Sequence, residues 1–294
     1  MDYLELKTKL KFKNGKVRVI GRSVFGRPIF CVSFNFGARQ TFILSASIHA
    51  RENITTNIAL PLAKRLDANF DKFMGVMPNI IIVPMVNPDG VMISYFGEKS
   101  VPDSFVETLK KINGNNNYRL FKANARGVDL NNNFDAKFNS DPNLKLVPSS
   151  QGFAGIKPES ESETRAIADL VRIIKPAFTI SLHSKGEVIY YNFGLKGKVL
   201  KRHKKVAKFF AKVLKYKLDN KKTLSCGGLK DYCVSQLNIP SITIEVGSDK
   251  LTHPITERNL RKIIVRFNHF FDAIVSAKNY IEKMGIGSFN GNKR

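Results

Sequence analysis

A histidine and a glutamate three positions apart, His49 and Glu52, are the residues of this chain best suited to carry chemistry. They directly follow an apolar run at residues 41–48 that predicts a buried strand, and a helical pattern begins at Asn53. An imidazole and a carboxylate at this spacing can face one zinc ion when a third ligand comes from elsewhere. Because H-x-x-E tetrapeptides are common, the rest of the chain must supply that ligand and a general base.

A second histidine and a second glutamate are candidates for these two roles. His183 closes an apolar segment that predicts a buried strand. With His49 and Glu52 it makes two imidazoles and one carboxylate, and the remaining zinc position would hold a water whose pKa the ion lowers. Glu245 lies inside an otherwise apolar strand segment, where an uncompensated carboxylate is costly. It is the candidate general base for that water, and a buried ion pair with a Lys or Arg is the alternative.

The segment from 111 to 155 is rich in Asn, Ser, Gly and Pro and shows little periodicity. Long irregular segments inside a compact domain are usually functional or disordered. Its candidate site residues are Lys122, Arg126, Asp129, Asn131 and Asn132. The aspartate can accept a hydrogen bond from a ligand imidazole, the asparagines can donate to a substrate carboxylate or carbonyl, and either cation can stabilise an oxyanion. The simpler alternative is a loop whose side chains only satisfy its own backbone.

Short apolar runs alternate with longer helical patterns, which predicts an α/β fold. The predicted strands cover residues 16–24, 29–36, 41–48, 80–86, 177–182, 188–192 and 241–246. The predicted helices cover residues 53–68, 102–111, 161–174, 199–215, 229–237 and 255–282. Residues 24–28 predict a hairpin turn, and Ser160 with Glu163 predicts a capping box before the third helix. Since no linker or repeat interrupts the pattern, we expect one domain over 1–294 with a core of about 21–282.

The polar residues of interest fall where predicted strands end. His49, residues 87–90 and His183 each follow or close a strand, and Glu245 lies near the end of a fourth. Open α/β sheets bind ligands beyond the carboxyl ends of their strands. The sequence therefore predicts one site at one edge of the sheet.

The formal net charge of +24 indicates an anionic partner such as nucleic acid, a phosphate-rich wall polymer, an acidic peptide or a membrane surface. A solvated, lysine-rich surface is the alternative. The helix at 199–215 concentrates this charge, with a lysine face opposite an apolar stripe. No apolar stretch approaches the roughly 20 residues that span a bilayer. The charged N-terminus shows no signal peptide and the three cysteines suit a reducing compartment, so we expect a cytoplasmic protein, with release to the wall by another route left open.

Five motifs in a fixed order carry a family resemblance. They are His49-x-x-Glu52, Asn-Pro-Asp-Gly at 87–90, Gly-Val-Asp-Leu-Asn at 127–131, His183, and Ile-Pro-Ser-Ile-Thr-Ile-Glu ending at Glu245. This order resembles the zinc carboxypeptidase family typified by carboxypeptidase A, over nearly the whole chain from about residue 21 to the final helix. The resemblance implies a single α/β domain with a mixed, twisted central sheet flanked by helices.

The resemblance also implies site roles. It implies one zinc ion per chain, held by His49, Glu52 and His183, with Glu245 as the base that activates the zinc-bound water. Asp129 matches the family's partner of the first histidine. Lys122 falls where the family has an arginine that polarises the scissile carbonyl, and Arg126 remains a competitor for that role.

Two departures from the family pattern concern the substrate. Family members that trim ordinary C-terminal residues have Asn-Arg where this chain has Asn131-Asn132, and an amide cannot replace a bidentate guanidinium clamp. They also have a tyrosine eight residues before the aspartate of a Gly-Gly-x-x-Asp motif, where this chain has Thr223. The segment at 122–134 instead resembles a bacterial branch that cuts γ-D-glutamyl–diaminopimelate bonds of murein peptides.

We therefore expect a zinc-dependent metallopeptidase acting on γ-D-glutamyl–diamino acid bonds of murein peptides in peptidoglycan. The alternatives are a metallocarboxypeptidase on ordinary C-terminal residues, a zinc amide deacylase, and a non-catalytic polyanion-binding protein on the same scaffold. Asn132 counts against the deacylase, since those enzymes use the Asn-Arg pair as well. The intact ligand set counts against the non-catalytic protein.

Overall fold

Eight strands form one mixed sheet in the computed structural model, which describes residues 1–219 and 226–285. The strands are β1 (Lys16–Arg22), β2 (Pro28–Phe34), β3 (Thr41–Ser45), β4 (Asn79–Val83), β5 (Phe178–His183), β6 (Val188–Tyr190), β7 (Lys217–Leu218) and β8 (Ser241–Glu245). Their order across the sheet is β1-β2-β4-β3-β5-β8-β6-β7. The four central strands, β4, β3, β5 and β8, are parallel to one another. They are almost wholly buried because they carry apolar residues on both faces.

Helices cover both faces of this sheet. They are α1 (Tyr3–Lys9), α2 (Thr56–Ala68), α3 (Phe70–Phe73), α4 (Pro88–Phe96), α5 (Val106–Asn113), α6 (Ser162–Ile174), α7 (Gly197–Leu214), α8 (Leu229–Ser235), α9 (Leu260–Val265) and α10 (Phe270–Lys283). One buried cluster joins the sheet to α2, α7 and α10, and a second joins it to α6 and α8. The predicted α/β class with a mixed sheet flanked by helices is confirmed.

Two local structures differ from the predicted pattern. Residues 87–90 follow β4 and begin α4, a helix that the pattern does not predict, because Asn87 Oδ1 accepts from the backbone N–H of Gly90 at 2.9 Å and Pro88 takes the first helical position. The long helix expected over 255–282 is divided into α9 and α10. The hairpin at 24–28 is confirmed, since β1 and β2 pair antiparallel around it.

The capping box expected from Ser160 and Glu163 does not form. The cap residue of α6 is Glu161, and its side chain makes no capping hydrogen bond. Glu163 is instead fully buried beside Glu161, and Asn124 Nδ2 lies 2.8 Å from Glu161 Oε2 and 3.4 Å from Glu163 Oε2. The two acids therefore tie α6 to the loop that leads into the site.

Within residues 1–219 and 226–285, no helix combines the length and the apolar character that a membrane crossing requires.

Glu163 should make the stability of the fold depend on pH. Burial, reinforced by Asp89 and Glu161, raises the pKa of Glu163 to about 7 from its ordinary 4.5. Folding therefore takes up a proton, so this stability is present below about pH 4.5 and is lost as the pH rises to about 7. The free energy of unfolding of the wild type should therefore fall from pH 5 to pH 8, and Glu163→Gln should reduce that fall by about 2–3 kcal/mol. Urea unfolding at the two pH values measures the change.

Asp135→Asn, a substitution at an exposed acid, provides the matched control and should keep the wild-type pH dependence. An unchanged pH dependence in Glu163→Gln would show that this carboxyl does not take up a proton on folding.

Candidate active site

The predicted metal ligands and base come together at the carboxyl ends of β3, β5 and β8. His183 ends β5, Glu245 ends β8, and the two are paired across the parallel strands. His49 follows β3 in extended backbone (φ −92°, ψ 130°) and precedes a 3-10 helix, Ala50–Thr55. Glu52 lies inside that helix but leaves helical geometry, with φ −101° and ψ 29°. This local kink turns the Glu52 carboxylate toward the two histidines.

The side chains of His49, Glu52 and His183 face one point. His49 Nδ1 lies 2.8 Å from Glu52 Oε1 and 3.2 Å from His183 Nδ1. His183 Nδ1 lies 3.2 Å from Glu52 Oε2. All three residues are buried, at 5%, 4% and 2% exposure. In the part of the chain that the structure describes, these three residues are the cluster whose donor atoms lie close enough together to hold one metal ion.

Zinc fits this donor set. Ligand atoms on one tetrahedral zinc lie about 3.3 Å apart at ordinary bond lengths, which is close to the separations seen here. Two ring nitrogens and a carboxylate facing one another also need a cation, because their lone pairs point into a shared, water-poor space. His49, Glu52 and His183 would therefore hold the ion and leave a further position open.

The outer side of each histidine meets an oxygen that orients the ring. His49 Nε2 lies 3.2 Å from Asp129 Oδ1, and His183 Nε2 lies 3.1 Å from Ser181 Oγ. Burial would raise the pKa of Asp129, but Lys122 and His49 reverse this and hold it far below its usual range. Asp129 is therefore ionised and faces the His49 ring, and its role as acceptor of the ring N–H stays a prediction.

Glu52 is held in the charged form that a metal ligand requires. Burial opposes ionisation, but His49 and His183 together keep the pKa of Glu52 well below its usual value. The backbone N–H of Ser184 also donates to Glu52 Oε2 at 3.1 Å. These contacts fix both carboxylate oxygens relative to the two rings.

Glu245 lies in the wall of a pocket beside the metal-binding group. Its Oε2 atom is buried and makes no hydrogen bond to the described residues. Burial raises the pKa of Glu245 to about 7, and the charge of His183 offsets part of that rise. A carboxylate with a near-neutral pKa and a vacant acceptor oxygen suits a general base.

The structure separates the two cations considered for the oxyanion. Lys122 Nζ lies 2.8 Å from Asp129 Oδ2, and its charge acts on both His49 and Glu245. Arg126 is largely exposed, and its guanidinium lies 3.9 Å from Glu161 Oε2. Lys122 is therefore the better placed of the two, and its role at the carbonyl stays a prediction.

A pocket of about 200 Å³ adjoins the metal-binding group. It is lined by His49, Asn131, His183, Tyr190, Asn192, Asp219, Gly228, Lys230, Asp231, Thr243 and Glu245. The pocket thus joins the base and two metal ligands to a lysine and two aspartates. A concave site with convergent polar groups of this kind can receive part of a ligand.

The substrate-binding predictions divide between positions inside and outside this pocket. Asn131 lines it, with Oδ1 accepting from the backbone N–H of Leu229 at 3.2 Å, which leaves its amide N–H groups for a ligand. Asn132 does not line the pocket as the structure describes it. Its carbonyl oxygen packs against Gly227, where a Cβ would lie only 2.2 Å away. Thr223 lies outside the described residues.

Sequence reasoning missed the charged end of the pocket. Lys230 and Asp231 enter it from α8, and Asp219 enters it after β7. The pair Gly227-Gly228 was the available signal, because its tight packing against residue 132 brings the start of α8 to the site. Nothing in the local pattern marked Asp219.

The arrangement can hydrolyse an amide or peptide bond. Zinc, when bound, supplies a Lewis acid that lowers the pKa of water and polarises a carbonyl. Glu245 can take a proton from a water in the pocket and return it to the leaving amine. Lys122 can stabilise negative charge on the carbonyl oxygen, and Asn131 can donate to a substrate carboxylate.

Known proteins are similar to this chain in sequence. The family model for zinc carboxypeptidases matches residues 3–265. Gamma-D-glutamyl-L-diamino acid endopeptidase 1 of Lysinibacillus sphaericus is 30% identical over 267 residues, which cover 87% of this chain and 66% of that protein. Carboxypeptidase A2 of Rattus norvegicus is 29% identical over 184 residues, which cover 60% of this chain and 41% of that protein.

The fold is also shared with solved structures. Bovine thrombin-activatable fibrinolysis inhibitor, in complex with tick carboxypeptidase inhibitor, aligns with a TM-score of 0.72 at 19% identity, covering 96% of this chain and 95% of that one. Sequence match, fold and the buried His-Glu-His group agree. The chain belongs to the zinc carboxypeptidase family and is a zinc metallopeptidase.

Proposed function

We propose that this metallopeptidase hydrolyses γ-D-glutamyl–diamino acid bonds of murein peptides. The observation that carries the proposal is the mixed charge of the pocket beside Glu245, where Lys230 lies among Asp219 and Asp231. A diamino acid released from such a bond carries an ammonium group at its far end. Diaminopimelate carries both an ammonium and a carboxylate there. A pocket with a cation and two acids complements that charge pair.

Lys230 is held as a fixed, buried cation. It is 6% exposed, and its Nζ donates to the carbonyl oxygen of Asn192 at 2.9 Å and contacts Asp231 Oδ1. Its ammonium also lies 5.5 Å from the centre of the Phe193 ring. Because the ammonium is oriented before substrate arrives, it can receive a carboxylate at a low cost in side-chain ordering.

The missing arginine supports the same substrate class. Position 132 is an asparagine and lies outside the pocket lining, so it cannot grip a terminal carboxylate in the bidentate way of arginine. Among the described residues that line the pocket, Lys230 on α8 is the lysine. A relative named for γ-D-glutamyl-L-diamino acid cleavage, at 30% identity, agrees with this.

A carboxypeptidase acting on ordinary C-terminal residues is the second candidate, because carboxypeptidase A2 aligns with 60% of this chain. The two candidates differ in the bond that they cut. We expect the zinc-loaded protein to release diaminopimelate from L-alanyl-γ-D-glutamyl-meso-diaminopimelate, with products identified by mass. Cleavage of N-benzoyl-glycyl-phenylalanine without cleavage of the murein tripeptide would overturn the proposal.

Lys230 should determine which diamino acid is preferred. The wild type should favour the diaminopimelate tripeptide over its L-lysine counterpart, since only the former has the extra carboxylate. In Lys230→Met we expect the ratio of the two kcat/KM values to fall by about tenfold or more, as for a lost charged hydrogen bond.

The ratio serves as the readout because loss of Lys230 also leaves Asp231 without its buried partner and can lower stability. Lys230→Arg keeps the cation and should retain much of the preference. An unchanged ratio in Lys230→Met would show that this lysine does not contact the far carboxylate.

A further inference from the structure

One face of α7 is a continuous row of lysines. Lys198, Lys201, Lys205, Lys208 and Lys212 follow one another at alternating spacings of three and four residues, and all five are exposed. This spacing places them on one side of a helix. We call this row the lysine face.

The opposite side of α7 fixes the direction of the lysine face. His203, Val206, Ala207, Phe210 and Leu214 are buried, and several of them pack in the same core cluster as α10. The helix therefore cannot rotate to cover its lysines. At a rise of about 1.5 Å per residue, the row extends for about 21 Å.

The positive charge of the lysine face is not compensated nearby. The helix contains no Asp or Glu. Over residues 1–219 and 226–285, none of the five lysines forms an ion pair, and Lys205 instead lies 5.5 Å from the centre of the Phe209 ring. Like charges at these spacings repel and destabilise a helix. An anionic ligand lying along the row would relieve that repulsion.

We propose that the lysine face binds a linear alditol phosphate polymer, the chemistry of a phosphate-rich wall polymer. Such a chain carries one negative charge per repeat and can lie extended along a straight row of ammonium groups. Binding would release counterions from the polymer, which favours association at low salt. The choice of a wall polymer rests on the proposed murein function and on release to the wall, the route that the sequence leaves open.

The side chains around the row disfavour two other polyanions. Single-stranded nucleic acid is usually bound by aromatic platforms that stack on bases. The aromatic residue Phe209, beside Lys205, is only partly exposed and packs edge-on against Tyr280, with ring centres 6.1 Å apart. A membrane-surface helix inserts an apolar face into the lipid. The apolar face of α7 is instead buried in the protein core, and Val199, at 39%, is the large apolar residue that α7 exposes.

The test measures binding of the full-length protein to poly(glycerol phosphate) by fluorescence anisotropy over a series of salt concentrations. Replacing Lys201, Lys205, Lys208 and Lys212 together by Gln should weaken binding by at least about tenfold and reduce the salt dependence. The matched control replaces four exposed lysines elsewhere, Lys16, Lys72, Lys99 and Lys111, by Gln. The control removes the same charge and should change the affinity less than about twofold.

Equal losses in both variants would show that net charge alone drives binding and would overturn the proposal, as would the absence of binding by the wild type. Tighter binding to a single-stranded DNA of equal phosphate number, or to phosphatidylglycerol vesicles, would assign the face to a different partner. The readout needs no peptidase activity. Failure here is therefore distinct from failure of the murein cleavage assay.

Discussion

The structure depends on the convergence of two imidazole nitrogens and one carboxylate into a space too small and too buried for water to separate them. His49 Nδ1, His183 Nδ1 and the Glu52 carboxylate lie within 2.8–3.2 Å of one another. Such an arrangement is unfavourable unless a cation occupies the centre. Asp129 and Ser181 fix the far side of each ring, so both rings present the same nitrogen to the ion.

The sheet brings these groups together with its own backbone, because its parallel strands end at one edge. His183 and Glu245 are placed by the register of two adjacent central strands. The substrate side is assembled differently, from segments distant in sequence. Lys230 comes from the start of α8 and Asp219 from the end of a two-residue edge strand. His49 and Glu52 come from the segment that follows β3, His183 and Glu245 from two strand ends, and the charged pocket residues from a helix start and the end of an edge strand.

Sequence reasoning succeeded where chemistry is local and failed where it is not. His49 and His183 were predictable because a histidine after an apolar strand is conspicuous, and Glu52 because it lies three positions after His49; the structure groups the three together. The pattern does not predict α4, because the residues that cap its start also favour a turn. Lys230 was missed since a lysine in a short helix looks solvent-exposed until its burial is known. The edge strand β7, of two residues, carries no detectable pattern.

The central claim is that three side chains hold zinc while Glu245 moves the proton. The most direct measurement combines elemental analysis with turnover of a murein tripeptide, for the wild type and for Glu245→Gln. The account predicts about one zinc per chain in both proteins, and hydrolysis lower by about a hundredfold to ten-thousandfold in the variant. A wild-type zinc content near zero after purification in zinc-supplemented buffer, or full hydrolysis by Glu245→Gln, would contradict it.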